Sequence, residues 1–60
     1  MGPLTPRERL NMIALAIRHC DTVVTREALR VQFHYETGVD PNAGDLDHVM
    51  RWVAREAERA

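Results

Sequence analysis

The chain has 60 residues, a formal net charge of −1 and one cysteine. Sixty residues form at most one domain, so the sequence predicts a single domain over residues 1–60 with too little bulk to enclose a substrate pocket. With no serine nucleophile and no glycine-rich phosphate loop either, we expect neither an enzyme nor a bound cofactor.

Cysteine usage and hydropathy bear on the compartment. Cys20 has no second cysteine in the chain with which to pair, which favours a reducing environment. No apolar run approaches the roughly 20 residues that a membrane-spanning helix needs. His19 and Cys20 are adjacent, but no further ligands follow at the short spacing of a zinc site. We therefore expect a cytoplasmic protein without membrane contact and without a metal site.

The first predicted helix covers residues 6–20. Thr5 has the features of an N-cap, because Pro6 suits the first helical position and Glu8 completes a capping box. Apolar residues then recur at helical spacing and predict one buried stripe. The stripe consists of Leu10, Ile13, Ala14, Ile17 and Cys20.

The second predicted helix covers residues 26–37. Thr25 is its expected N-cap, and Val24 can form a hydrophobic staple with Leu29. Gly38 is the expected left-handed C-cap, and Val39 is placed to fold back on the helix in a Schellman motif. The apolar side predicted to face the core consists of Ala28, Leu29, Val31, Phe33 and Tyr35.

The third predicted helix covers residues 45–59 and follows a turn-forming run from Asp40 to Gly44. Heptad-like spacing predicts a narrow apolar seam that faces the other two helices. The seam consists of Leu46, Val49, Met50, Val53 and Ala57. With no strand pattern in the chain, the predicted fold class is all-α, a small three-helix bundle.

Some apolar residues fall outside these stripes. Met12 and Leu15 on the first helix either form a surface for a partner or contact both neighbouring helices. Trp52 lies well over a quarter turn from the centre of the third helix's seam. It therefore either covers the edge of the core or serves as a binding hot spot. The predicted partner-binding set consists of Met12, Leu15, Trp52 and the adjacent Arg51 and Arg55. Its partner is expected to be another protein or a second copy of the chain.

Basic residues suggest an alternative, since arginine side chains reach phosphates and an adjoining tryptophan can stack on a base. The nucleic-acid-binding set predicted under this alternative consists of Arg26, Arg30, His48, Arg51, Arg55 and Arg59. Asp47 lies four residues before Arg51, however, and ordinary ion pairing on the helix surface accounts for the same pattern. The near-neutral charge also disfavours phosphate binding as the main role.

One family resemblance lies in residues 29–53, where Leu29, Phe33, Gly38 and the pair Trp52-Val53 occur in order. This pattern resembles the helix, extended loop and helix of SAP and DEK C-terminal domains, which use the element on DNA. The family's basic positions at the start of the second of these helices are acidic here, over residues 45–48, so the resemblance implies architecture more than DNA binding. The sequence thus favours a non-catalytic protein-interaction domain over a nucleic-acid-binding one.

Overall fold

The computed structural model describes residues 2–59, which form three helices. Helix α1 covers Pro6–His19, α2 covers Arg26–Thr37 and α3 covers Ala43–Arg59. Each helix contacts the other two, and the principal extents are 31 × 23 × 20 Å. The predicted all-α three-helix bundle is confirmed, with helix limits within two residues of those expected.

Helix α1 begins with the predicted capping box. The Glu8 amide donates to Thr5 Oγ1 over 3.2 Å, and the Thr5 amide donates to Glu8 Oε1 over 2.9 Å. The hydrogen bond from the Thr5 amide, and after it the interaction of the Thr5 side chain with the carboxylate, hold the pKa of the Glu8 carboxyl below its ordinary value. Glu8 therefore carries its negative charge at the positive end of the helix, where that charge is stabilising.

The ends of α1 and α2 have different hydrogen-bond patterns. At the end of α1, Asp21 takes the left-handed conformation (φ 57°), while the Thr22 amide donates to the Ile17 carbonyl and the Asp21 amide to that of Arg18. This bonding is the Schellman pattern. At the end of α2 the Schellman prediction is wrong. Gly38 (φ 81°) makes the simpler single bond to the His34 carbonyl, and Val39 donates to Thr37 Oγ1 and stays exposed.

The starts of α2 and α3 each have a side-chain cap. Thr25 Oγ1 accepts from the Ala28 amide over 3.1 Å, as predicted. Helix α3 begins two residues earlier than predicted, because Asn42 Oδ1 accepts from the Gly44 amide over 2.7 Å. Asparagine is among the best N-cap residues, so its position after Pro41 fixes the start of this helix.

The core lies where the three helices meet. The centre of the core is a cluster of buried residues. The residues that pack against this cluster are partly buried and consist of Ile17, Met50, Trp52 and Val53. That cluster consists of Leu10, Ile13, Ala14, Val24, Leu29, Phe33, Leu46 and Val49.

Four residues predicted to be in the core are exposed instead: Cys20, Val31, Tyr35 and Ala57. Val31 and Tyr35 each follow a buried residue of α2 by two positions, which places them about 200° around the helix from it. Cys20 lies beyond the last residue of α1, and Ala57 lies in the last turns of α3, where most residues are exposed. These four residues therefore belong to the surface and not to the core.

Candidate functional site

Helix α1 carries two large apolar side chains on its solvent side. Met12 is 56% exposed and Leu15 is 50% exposed. At about 100° per residue, both lie roughly 150° from the centre of the buried stripe of α1, on adjacent positions one turn apart. Contact with α2 and α3 therefore does not cover them, and they form one apolar patch on the surface.

An apolar groove runs between α1 and α2 and has a volume of about 530 Å³. Its α1 wall includes Ala16 and Ile17, and its α2 wall includes Ala28 and Val31. A smaller hollow of about 230 Å³ shares Ile13, Ala16 and Glu36 with it. The hollow is also lined by Leu4 and Met12, and Met12 therefore links the groove to the exposed patch.

The polar residues at the edge of this groove are bonded to one another. Arg9 Nη1 pairs with Glu36 Oε1 over 3.0 Å, and Gln32 Nε2 donates to the other Glu36 oxygen over 3.0 Å. The pair links the first half of α1 to the end of α2. Because these charges are matched within the chain, the groove presents apolar surface without an unpaired charge from these residues.

The predicted partner-binding set is divided between two helices. Trp52 is half-buried and packs against the core cluster, while Arg51 and Arg55 are exposed on α3. All residues that line the groove and the hollow come from residues 4–36. Of the predicted set, Met12 and Leu15 lie on α1, and Trp52 and the two arginines lie on α3.

The arginines of the nucleic-acid alternative fall into two groups, and those of α2 are paired. Arg26 bonds Asp47 of α3, and Arg30 bonds Glu27 and lies 3.8 Å from Asp40. The hydrogen bond with Arg30 lowers the pKa of the Glu27 carboxyl, and the same bond raises the pKa of the Arg30 guanidinium. Both α2 arginines already have carboxylate partners.

The second group lies on α3. Within residues 2–59, no carboxylate comes within 4 Å of Arg51, Arg55 or Arg59 to form an ion pair. The expected pairing of Asp47 with Arg51 is not formed, because Asp47 pairs with Arg26 instead. His48, which precedes this row by one turn, is half-buried. The exposed side of α3 thus carries three cations that have no carboxylate partner among the described residues.

Sequence reasoning missed the groove. Ala16 is exposed on α1 and lines both the groove and the hollow. A single alanine in a helical sequence does not indicate a groove by itself. Ala28 and Val31 were expected in the core, although they form the opposite wall of the groove. The available signal was the number of apolar residues on α2, which is larger than one buried side of a helix can hold.

Two further features concern the described part of the chain. No helix there combines the length and the apolar character required to traverse a lipid bilayer. Nor do three or more His, Cys, Asp or Glu side chains between residues 2 and 59 come together as metal ligands would.

Comparison with known proteins gives no family assignment. No protein-family model matches the chain, and neither a curated protein nor a solved structure matches it.

Proposed function

We propose that the chain is a protein-binding domain that contacts its partner through α1. One observation carries this proposal: Met12 and Leu15 are half-exposed and one turn apart on one helix, and Met12 lines a hollow that adjoins an apolar groove. Contiguous apolar surface at the edge of a groove is typical of protein interaction sites. The partner is expected to present apolar side chains to this surface.

Local structure supports a preformed binding surface. The capping box holds the start of α1, and the buried stripe behind Met12 and Leu15 anchors the helix to the core. Small residues at positions 16 and 28 leave the groove open, so a helix or an extended segment has room to approach. A rigid surface loses little conformational entropy on binding.

Photo-crosslinking in the expressing cell tests this proposal. A photoreactive amino acid in place of Leu15 should give a covalent adduct with a protein, either a different protein or a second copy of the chain. The control carries the same amino acid in place of Val39, which is similarly exposed (60%) but lies in the loop before α3. Adducts from position 15 alone support the proposal. No adduct from position 15, or equal adducts from both positions, would contradict it.

A second candidate function is nucleic-acid binding by α3, and the unpaired row of Arg51, Arg55 and Arg59 favours it. Residues spaced by four lie on one side of a helix, so a single phosphate backbone can contact all three. Asp45 and Asp47 at the start of α3 would repel phosphate, but each is paired with an arginine of another helix. The acidic start of α3 is thus largely neutralised.

A salt titration tests the second candidate. Three arginine–phosphate contacts predict that the logarithm of the duplex association constant falls with the logarithm of salt concentration at a slope of about −3. Fluorescence anisotropy of a labelled duplex measures the slope. A triple variant should abolish duplex binding and its salt dependence; it combines Arg51→Gln, Arg55→Gln and Arg59→Gln. Absence of binding at low salt, or binding that is unchanged in the triple variant, would eliminate this candidate.

A further inference from the structure

The exposed side of α1 has a regular pattern beyond its two apolar residues. Glu8, Met12, Leu15 and His19 are all exposed and follow one another at intervals of four, three and four residues. At about 100° per residue these positions fall within a sector of roughly 60° that points away from the core. We call these four residues the α1 outer face. Such spacing is that of a helix seam that packs on another helix.

The pattern continues past both ends of α1. Leu4 precedes the helix by two residues and is 43% exposed, and Val23 follows it and is 79% exposed. Leu4 lines the same hollow as Met12, so it lies on the side of α1 that carries the apolar patch. The outer face is therefore flanked by one exposed apolar residue at each end.

These six residues are arranged symmetrically about the point midway between Ile13 and Ala14. Reflection about that point exchanges Met12 with Leu15, Glu8 with His19, and Leu4 with Val23. Each exchange matches an apolar residue with an apolar one, or an acidic residue with a basic one. Two copies of α1 packed antiparallel about a two-fold axis make the exchanges of the four helical residues between chains.

We infer that the partner of the α1 outer face is a second copy of this chain, with the two α1 helices antiparallel. This inference rests on the proposed function and specifies its partner. Met12 of each copy then packs against Leu15 of the other, and Glu8 of each copy lies beside His19 of the other.

Charge complementarity favours the antiparallel direction. Glu8 is at the N-terminal end of α1, and Arg18 and His19 are at its C-terminal end. The other cations near the N-terminal end, Arg7 and Arg9, pair with Asp45 and Glu36 of the same chain. An antiparallel pair therefore brings an acidic end beside a basic end, and it also opposes the two helix dipoles. A parallel pair would place Glu8 beside Glu8 and His19 beside His19.

Sedimentation equilibrium of the full chain tests the inference. The measurement runs from about 10 µM to about 2 mM with a reductant, because Cys20 is exposed. The small interface predicts a weak dimer with a dissociation constant of roughly 0.1 to 1 mM. Met12→Gln or Leu15→Gln should weaken the dimer at least tenfold, whereas Val39→Thr should leave it unchanged. A monomer at every concentration, or a dimer that both glutamine variants leave intact, would overturn the inference.

Substitutions at His19 test the direction of the helices. Lysine carries a full positive charge near neutral pH, so His19→Lys should tighten an antiparallel dimer several-fold, and His19→Glu should weaken it. In a parallel dimer, lysine would face lysine and His19→Lys would weaken association. Weakening by His19→Lys would therefore overturn the antiparallel arrangement. Circular dichroism at a concentration where the chain is monomeric should give the same helix content for both variants.

The two proposals fail separately. If the chain is monomeric and the adduct from position 15 contains a different protein, the inference of self-pairing is overturned and the protein-binding proposal stands. If position 15 gives no adduct and the chain is monomeric throughout, both are overturned.

Discussion

Leu29→Ala is expected to lower the free energy of unfolding by about 3 kcal/mol, because it leaves a cavity where a fully buried side chain fills the centre of the core. A domain of this length has a total stability of only roughly 3 to 9 kcal/mol. The variant should therefore lose between about one third and the whole of the stability of the chain. Urea denaturation followed by the helix signal in circular dichroism measures the difference.

The matched control is Val31→Ala on the same helix. Val31 is 51% exposed and lies on the opposite side of α2 from Leu29, so its truncation should change stability by no more than about 0.5 kcal/mol. Equal losses in the two variants would show that α2 does not pack as described.

Met12→Gln with Leu15→Gln is expected to weaken partner binding by at least about 30-fold without unfolding the chain. Full burial of a methionine or leucine contributes about 1.5 to 3 kcal/mol, so covering the exposed half of each contributes about 1 kcal/mol. Losing both weakens binding by roughly 2 kcal/mol, or about 30-fold, before the added cost of burying two amides. Cross-linking from a photoreactive residue at position 16, which lines the groove beside the patch, measures the loss.

The control for that experiment is Val39→Thr, which removes an exposed apolar side chain from the loop before α3. Its cross-linking from position 16 should equal that of the natural sequence. If the double glutamine variant keeps the same cross-link, the partner does not bind the apolar patch of α1.

The helices were predictable because local chemistry specifies their starts. Thr5 with Glu8, and Thr25 with its following amides, act within four residues, and a single sequence contains all of that information. The end of α1 was less predictable. An aspartate, Asp21, takes the left-handed conformation there, and no glycine marks the position. Asn42 was placed within a turn, although it is the residue whose side chain starts α3.

Burial was predictable only for the centre of each apolar stripe. Leu10, Leu29 and Val49 lie at these centres and are fully buried. Val31 and Tyr35 belong to a helix with apolar residues on both sides, and composition alone does not say which side faces the core. The packing of α2 against α1 and α3 determines which side of α2 is buried.

The candidate site was predictable in part. The angular positions of Met12 and Leu15 on α1 identified an apolar surplus on that helix, but the groove beside it depends on how α2 packs. The pairing of Asp47 with Arg26 joins residues 21 positions apart, so local spacing wrongly assigned Asp47 to Arg51. The resemblance of residues 29–53 to SAP and DEK C-terminal domains stays a prediction.

The central claim is that Met12 and Leu15 belong to the surface of the folded chain, and the unfolding free energy of the double glutamine variant tests it most directly. Glutamine has nearly the helix propensity of methionine and leucine, so the comparison reports burial alone. Urea denaturation at a few micromolar, where the chain is monomeric, should give a value within about 1 kcal/mol of that of the natural sequence. A loss of more than about 4 kcal/mol, as expected for polar replacement of two core residues, would contradict the claim.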